Sequence, residues 1–398
     1  MATAKTRKPS SKKGERGRRA LVVCGMHRSG TSAFTRVFSL LGAELPRKLV
    51  EPAPDNPRGY WESSAIVELN DRILSSAHSA AIDPFAIAPE WFDSEEALAF
   101  HRPARALLER EFGVSPLFVL KDPRISRLLP IWLPALEGIG AESAFVLALR
   151  NPLEVAESMR LRNGFSAGKS VMLWLRHLLE AERATRLYRR TFVSFDAFID
   201  DWRSVAEQVA RDLELTWPRS CEEAQEEVDA FLSRELRHHS FTPGDLEIRT
   251  EIVDWIRRAY EASSSTVLEE NERRALLDSI AAELAQADKA FDPITCELRS
   301  QVVAQEDALS RLQATLSDRE EQLKEMEQMN VHSVSRSRES PLRSLGGSPL
   351  RFEPQNATSS PYGSLSLALF GATRRGSSSW AKSRHLVVRQ GPPERTPR

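Results

Sequence analysis

The residues from Gly25 to Ser32 follow an apolar stretch and have the spacing of a phosphate-binding loop. Their sequence, GMHRSGTS, matches G-x-x-x-x-G-K-[ST] except that Thr31 stands where the pattern has its lysine. A Gly-rich turn between a strand and a helix points backbone N–H groups and the positive end of the helix dipole at one anion. Because the missing lysine ordinarily reaches the β- and γ-phosphates, the loop predicts a ligand with a 5′-phosphate and no triphosphate.

Polar side chains in this loop strengthen the prediction of an anion site. Arg28 and Ser29 place a guanidinium and a hydroxyl inside the loop, and Thr31 and Ser32 add hydroxyls at the start of the expected helix. A Gly-rich turn is also ordinary packing chemistry. Several donors that converge on one point nevertheless favour binding.

Two further cations stand at the ends of apolar stretches. Lys121 follows residues 117–120, and Arg150 follows residues 144–149. The letters NPLE after Arg150 predict a helix start with a cap, a first-turn proline and a capping-box glutamate, which places Ser158 about two turns into that helix. Ligands of open α/β folds lie over the carboxyl edge of the sheet, so all three side chains can face a ligand held by the loop. The alternative is that these residues have only structural roles. Lys121 would then extend its ammonium to water, Arg150 would lie at the surface, and Ser158 would have its hydrogen bonds satisfied within the helix.

Together these segments resemble the sulfotransferase family. GMHRSGTS after a strand looks like the family's 5′-phosphosulfate loop, and RNPLEVAES at 150–158 is similar to its 3′-phosphate motif. LKDPR at 120–124 resembles a strand end of tyrosylprotein sulfotransferases and related bacterial enzymes. The motifs span residues 21 to about 205, roughly half of the chain. The resemblance implies metal-free, in-line transfer of a sulfonate group from 3′-phosphoadenosine-5′-phosphosulfate (PAPS) to an acceptor hydroxyl.

The resemblance also assigns roles to individual residues. The residues expected to bind the donor are Gly25, His27, Arg28, Ser29, Gly30, Thr31, Ser32, Arg150 and Ser158. Lys121 is expected to stabilise the bridging oxygen as the 5′-phosphate departs, with help from Arg28 in the loop. No residue cluster has metal-ligand spacing, so no metal is expected.

The expected catalytic base is Glu62, at the end of the segment NPRGYWE. Its aromatic neighbours would exclude water and raise the proton affinity of the carboxylate. Related sulfotransferases have a glutamate base on the segment after the first helix, so the resemblance points the same way. The structural alternative is that Glu62 caps a helix from Ser63 onward, and His27 and His78 are the rival bases.

Other points stay open. Phe195 precedes Asp196 where the family often has a tyrosine, so a hydroxyl contact to the donor is lost or supplied elsewhere.

A carbohydrate is the first choice of acceptor, because bacterial relatives with GYWE and KDPR segments commonly look like glycan-modifying enzymes. Lipid, small-molecule and peptidyl-tyrosine acceptors remain as alternatives. The rival functions are a P-loop nucleotide kinase or NTPase, in which Asp122 would imitate a Mg²⁺ ligand, and a catalytically silent coiled-coil adaptor.

The elements that must position these residues follow from hydrophobic periodicity. Apolar stretches at 20–24, 117–120, 144–149 and, more weakly, 191–195 alternate with helical patterns. The alternation predicts a P-loop-like, three-layer α/β sandwich with a central, mostly parallel sheet.

The predicted domains are a basic disordered arm (1–19), a sulfotransferase domain (20–295), a helix or short coiled coil (296–330) and a disordered basic Ser/Pro-rich tail (331–398). Apolar residues at heptad spacing over 298–326 would either form a modest homodimer seam or pack on the chain's own domain.

Charge is distributed unevenly along the chain. Residues 1–19 carry eight basic side chains against one acidic, and residues 331–398 carry eleven against three. The middle, residues 20–330, carries 36 basic against 52 acidic side chains, a net charge of about −16. The core is therefore not expected to bind nucleic acid, which needs a positive face.

The cysteines and the hydropathy indicate the compartment. Cys24, Cys221 and Cys296 are an odd number at wide spacing, which argues against a disulfide framework and against a zinc site. The N-terminal residues lack the apolar stretch of a signal peptide, and no apolar run reaches 18 residues. We therefore expect a cytoplasmic protein without a membrane span.

Overall fold

The computed structural model describes residues 17–232 and 254–291, together with residues 297, 312, 315–323 and 326. The chain divides into two units, Met1–Leu312 and Gln313–Arg398. In the second unit, residues 315–323 are helical and exposed. Most of the predicted arm, the predicted tail and most of the predicted dimer seam lie outside the described residues, so the homodimer stays a prediction.

A four-stranded parallel sheet forms the centre of the first unit. The strands are β1 (Arg19–Cys24), β2 (Leu117–Lys121), β3 (Glu142–Leu149) and β4 (Arg189–Ser194). Their order in the sheet is β2-β1-β3-β4, and every neighbouring pair is parallel. Val23 of β1 pairs with Lys121 on one side and with Val146 on the other. The carboxyl ends of these strands therefore meet at one edge of the sheet, where the predicted site residues follow them.

Helices connect the strands and flank the sheet. They are α1 (Thr31–Leu40), α2 (Ser64–Ser76), α3 (Glu95–Ala99), α4 (His101–Phe112), α5 (Ile125–Gly138), α6 (Pro152–Asn163), α7 (Ala167–Thr185), α8 (Phe195–Asp200), α9 (Trp202–Asp212), α10 (Cys221–Phe231), α11 (Asp254–Ser264) and α12 (270–291), with a 3₁₀ helix at Pro89–Asp93.

Alternate residues of β1 point to opposite faces of the sheet, and both faces are covered. Ala20 and Val22 pack in a core with α2, α4 and α5. Leu21 and Val23 pack in a second core with α1, α9 and α10. A third cluster joins α6, α7, α11 and α12. Strands buried on both faces read as continuous apolar runs, and the three-layer α/β sandwich predicted from those runs is confirmed.

The strand ends differ from the predicted ones by a residue or two. β1 begins at Arg19, whose backbone N–H donates to the carbonyl of Pro116 at 2.8 Å. β4 ends at Ser194, which accepts a hydrogen bond from the backbone of Ala197 and so caps α8. Phe195, predicted to be the last strand residue, is therefore the first residue of a helix.

Four side chains of α7 that could carry chemistry lie outside the cleft. They are Trp174, Arg176, His177 and Glu180. Arg176 forms an ion pair with Asp288 at 2.9 Å, and Glu180 accepts a hydrogen bond from Arg127 at 3.0 Å. Burial lowers the pKa of His177 to about 3, so its imidazole is neutral in the core.

Two of the cysteines lie within the described residues and are free. Burial in β1 raises the pKa of the Cys24 thiol to about 12, so it packs as an apolar side chain. Cys221 is partly buried, and Cys296 lies outside the described residues. Among the helices described, none has the length and apolar content needed to cross a bilayer.

Gly42, just after α1, allows a test of the packing between α1 and the segment before α10. Its φ is +99°, and a Cβ at this position would lie 2.7 Å from the Cβ of Pro218. We expect Gly42→Ala to lower the free energy of unfolding by about 3 kcal/mol, because left-handed strain and overpacking add.

Gly140→Ala is the matched control, since Gly140 has a φ of +69° and no atom lies within 4 Å of the point that a Cβ would occupy. It should cost only the backbone strain, about 1 kcal/mol. Urea unfolding of both variants measures the difference. If both variants lowered the free energy of unfolding equally, the contact with Pro218 would cost nothing.

Candidate functional site

The loop between β1 and α1 is shaped by a close contact with Phe195. Gly30 has a φ of +83°, and a Cβ there would lie 2.1 Å from the Cδ2 of Phe195. Only glycine fits this position without moving the ring. Arg28 also has a left-handed backbone, with a φ of +70°. The turn therefore leads to Thr31, where α1 begins, and the N-terminus of α1 faces the cleft.

The cleft lies at the carboxyl edge of the sheet and has a volume of about 260 Å³. Its walls come from the loop, residues 55–62, Lys121, Arg150 and the ends of α6 and α10. Lys121 is the last residue of β2 and Arg150 follows β3, and the sheet brings both to the edge where the loop lies.

A buried ion pair occupies one side of the cleft. The Nζ of Lys121 lies 2.6 Å from Oε1 of Glu62 and donates to the Oγ of Ser32 at 3.1 Å. Lys121 is 1% exposed and Glu62 is 8% exposed, so water screens this pair weakly. Lys121, at the end of β2, therefore connects Ser32 of the loop with Glu62 in the segment before α2.

Glu62 is not the helix cap that the structural alternative required. Ser63 caps α2 by accepting a hydrogen bond from the backbone N–H of Ile66. The preceding residue, Trp61, has a left-handed φ of +59°, and the carboxylate of Glu62 turns to Lys121 instead. Burial raises the pKa of Glu62, and the positive charge of Lys121 opposes part of that rise. A carboxylate with raised proton affinity beside a cleft is suited to accept a proton.

The other side of the cleft brings Arg28, Ser158 and Arg150 together. The Nε of Arg28 donates to the Oγ of Ser158 at 2.7 Å, and the Nη1 of Arg150 donates to the carbonyl of Arg28 at 3.1 Å. Arg150 is held by Glu154, whose Oε2 lies 2.8 Å from its Nε, and its guanidinium stacks over Phe195. The loop and the segment 150–158 thus contact each other, and Arg28 reaches Ser158 and not the ion pair of Lys121 and Glu62.

Two buried polar atoms in these elements have no hydrogen-bond partner among the described residues. They are the Oγ of Ser29 and the Nη2 of Arg150. A buried donor without a partner is costly, and such groups commonly face a ligand. Arg150 also lines the cleft, whereas Ser29 is fully buried in the loop, so an anion in the cleft would find at least one donor without a partner.

The sequence analysis missed a cluster on the outer wall of the cleft. The Oδ2 of Asp55 lies 2.7 Å from the Nε of Arg162, and the hydroxyl of Tyr60 donates to Oδ1 of Asp55 at 2.5 Å. Burial and this carboxylate raise the pKa of Tyr60 to about 12. Arg162 stands four residues after Ser158 on the same face of α6, a spacing that could have signalled its place. Asp55 lies in an aperiodic Pro/Gly segment without such a signal.

The two rival bases differ in position. His27 lines the cleft, where burial and then the charge of Arg124 lower its pKa well below the usual range. It is therefore a neutral and weak base. His78 is exposed after α2 and does not line the cleft.

Asp122 does not present its carboxylate to the cleft. Buried at the end of β2, it accepts hydrogen bonds from Asn70 at 2.9 Å and from the backbone and guanidinium of Arg124, both at 3.0 Å. Within the part of the chain that the structure describes, no group of three or more His, Cys, Asp or Glu side chains is placed to hold a metal ion.

Ser29 provides a test of the anion site that separates binding from folding. Ser29→Ala removes a buried hydroxyl without a partner, so the melting temperature of the ligand-free protein should stay equal or rise. The same variant should lose part of the stabilisation that pyrophosphate gives to the wild type, because one donor to the anion is gone. Thermal unfolding with and without pyrophosphate measures both effects.

Ser39→Ala is the control, since the Oγ of Ser39 donates to the carbonyl of Arg36 on α1, outside the cleft. It should lower the melting temperature of the ligand-free protein and leave the pyrophosphate shift unchanged. A full pyrophosphate shift in Ser29→Ala would contradict the role of this loop.

No protein-family model matches the chain, and no curated protein matches it. The solved structures similar to it include the sulfotransferase domain from the Synechococcus PCC 7002 olefin synthase and the sulfotransferase domain from the curacin biosynthetic pathway. The first is 15% identical with a TM-score of 0.34, and the match covers 69% of this chain and 98% of the other. The second is 14% identical with a TM-score of 0.34, covering 66% and 98%. A likeness of this degree does not decide the chemistry of the cleft, which depends on its side chains.

Proposed function

We propose that this chain is a sulfotransferase that moves a sulfonate group from PAPS to an acceptor hydroxyl. The observation that supports it most is the buried contact of Lys121, Glu62 and Ser32 beside the phosphate loop. This contact brings together a cation that could stabilise a departing oxygen, a carboxylate that could accept a hydroxyl proton and a loop that could bind a phosphate.

The two ends of the donor would lie on the two sides of the cleft. The N-terminus of α1, Thr31, Ser32 and the unpartnered hydroxyl of Ser29 would bind the 5′-phosphosulfate. Arg150, with its unpartnered Nη2, and Ser158 would bind the 3′-phosphate. PAPS would supply a sulfonate joined to a good leaving group.

The chain's own residues then carry the transfer. Glu62 would accept the proton of the acceptor hydroxyl while that oxygen bonds to sulfur and the bond from sulfur to the 5′-phosphate oxygen breaks. Lys121 would stabilise the negative charge that grows on the departing oxygen. Lys121 pairs with Oε1 of this carboxylate at 2.6 Å, so the acceptor hydroxyl would donate to the other carboxylate oxygen or displace the ammonium.

The two rival functions fit the cleft less well. A kinase needs a phosphate-binding lysine and a carboxylate for Mg²⁺, whereas this loop has Thr31 and the carboxylate of Asp122 is taken up by Asn70 and Arg124. A silent adaptor would have no use for two buried donors without a hydrogen-bond partner, one in the loop and one just after β3.

The acceptor we propose is a carbohydrate hydroxyl, and the location we propose is the cytoplasm. The cleft wall at residues 55–60 offers polar side chains next to Phe231, over which Arg58 is stacked. Aromatic faces with polar neighbours suit a sugar ring. Incubation with labelled PAPS and fractionated glycans identifies the acceptor directly.

Glu62→Gln tests the catalytic base. A base must be ionised, so the rate should rise with pH through the raised pKa of Glu62, above the usual range of a glutamate. The variant should lower kcat by roughly 100-fold or more and abolish this acidic limb. The measurement is the pH profile of kcat/KM.

The matched control is Glu111→Gln, a glutamate that is 3% exposed and lies outside the cleft, beside Arg110. It should leave the pH profile unchanged. An acidic limb that persists in Glu62→Gln would transfer the role of base to His27.

The double variant Arg150→Ala, Ser158→Ala tests the donor. The wild type should bind 3′,5′-ADP far more tightly than 5′-AMP, because each charge-assisted hydrogen bond to the 3′-phosphate contributes about 1.5–3 kcal/mol. The variant should lose most of this preference and keep its affinity for 5′-AMP. Calorimetric titration of both ligands gives the four affinities.

Arg160→Ala is the control on the same helix, since Arg160 is exposed and pairs with Glu157. It should retain the full preference. A wild type that binds both nucleotides equally would exclude PAPS as the donor.

A further inference from the structure

We propose that Asp122 is a positioning residue for the reaction: it joins the two elements that carry Lys121 and Glu62, and it keeps a negative charge beside Glu62. This inference rests on the proposed function, in which Glu62 is the base. It gives a role to a carboxylate that follows Lys121 directly in the chain and yet does not line the cleft.

Asp122 connects the end of β2 to α2, the helix that begins just after Glu62. Its Oδ2 accepts a hydrogen bond from Nδ2 of Asn70 on α2 at 2.9 Å, and the Oδ1 of Asn70 accepts one from Nε1 of Trp132 on α5 at 2.8 Å. Asp122, Asn70 and Trp132 are all fully buried. Because breaking either bond would leave a buried polar group without a partner, the chain of bonds fixes the strand end that carries Lys121 relative to α2.

Arg124 holds the carboxylate of Asp122 as an anion. The Oδ1 of Asp122 accepts hydrogen bonds from the backbone N–H and from Nη1 of Arg124, both at 3.0 Å. The Nε of the same guanidinium lies 2.7 Å from Oδ1 of Asp71. Arg124 thus has two carboxylate partners, of which Asp122 is fully buried and Asp71 is about half exposed. One cation shared by two anions leaves this cluster with a net negative charge.

The charged and titratable groups around Glu62 are Lys121, Asp122, Arg124 and Tyr60. Burial raises the pKa of Glu62 most; Lys121 and Arg124 lower it, whereas Asp122 raises it. Tyr60 has a pKa of about 12 and is neutral where the enzyme would work. Asp122 therefore opposes the effect of Lys121, and without it Glu62 would be a poorer proton acceptor.

Asp122→Asn and Arg124→Gln should move the pKa of Glu62 in opposite directions. Asp122→Asn removes the negative charge and keeps the shape of the side chain, so the pKa should fall by about half a unit or more. Arg124→Gln removes the positive charge, so the pKa should rise. Carbon-13 NMR of protein labelled at the glutamate carboxyl carbon measures the titration. The resonance of Glu62 is the one that is missing from Glu62→Gln.

Asp71→Asn is the matched control, because it removes the same charge from the same guanidinium at a position that water screens. It should lower the pKa of Glu62 by less than half as much as Asp122→Asn. An unchanged pKa in Asp122→Asn, or an equal fall in Asp71→Asn, would show that Asp122 has no such role. Should Asp122→Asn fail to fold, Arg124→Gln decides the question, and an unchanged pKa in that variant would overturn the proposal.

The pH profile of kcat/KM, measured with labelled PAPS and the glycan fraction that it modifies, separates this inference from the proposed function. If Glu62 is the base, the acidic limb should move with the pKa of Glu62, and a fall of half a unit should raise the rate on that limb about threefold. A limb that stays in place while the NMR titration shifts would overturn the proposed role of Glu62, and with it the reaction that Asp122 would serve. A limb and a titration that are both unchanged in Asp122→Asn would overturn this inference alone.

Discussion

The ion pair between Lys121 and Glu62 is the interaction on which the rest of the cleft depends. Removing two charges from water costs several kcal/mol per ion, and their attraction at 2.6 Å offsets that cost only while both partners are present. Loss of either would leave a buried charge without its partner, which costs about 3–5 kcal/mol. The pair therefore fixes the end of β2 against the segment before α2. It also places an ammonium and a carboxylate side by side at the cleft, where the proposed transfer would use both.

The loop depends on a second constraint, the contact between Gly30 and Phe195. The ring of Phe195 fills the space that a Cβ at Gly30 would need, and its face lies 4.8 Å from the guanidinium carbon of Arg150. An aromatic ring at this point thus supports the loop from one side and orients Arg150 by a cation–π contact from the other. Neither task needs a hydroxyl group. The aromatic ring of Phe195 is therefore sufficient for both tasks.

The sequence predicts the parts of this structure that local periodicity encodes. The four strands, the helix starts after the loop and after Arg150, and the shared edge for Lys121 and Arg150 all follow from apolar runs and caps. The partner of Glu62 does not, because a contact across 59 residues leaves no mark on either local pattern. The pair of Asp55 and Arg162 could not be predicted for the same reason, because the segment around Asp55 has turn residues but no hydrophobic periodicity. The end of β4 was missed for a different reason, since the apolar Phe195 suits a strand as well as the helix that Ser194 caps.

The net charge of the chain is negative, whereas the cleft is lined mostly by basic side chains. Because salt solution screens distant charges, the two can act on different ligands. Residues 20–330 carry a net charge of about −16. The charged side chains that line the cleft are Arg28, Arg58, Lys121, Arg150 and Arg162 against Asp55 and Glu62. Charges separated by more than about 8 Å of physiological salt solution are largely screened, so a small anion inside the cleft responds to these neighbours and not to the whole body. A long polyanion would also meet the acidic side chains that residues 20–330 carry in excess. The cleft can therefore suit a small phosphorylated ligand although residues 20–330 are acidic overall, a distinction that net charge alone conceals because it adds charges across distances that water screens.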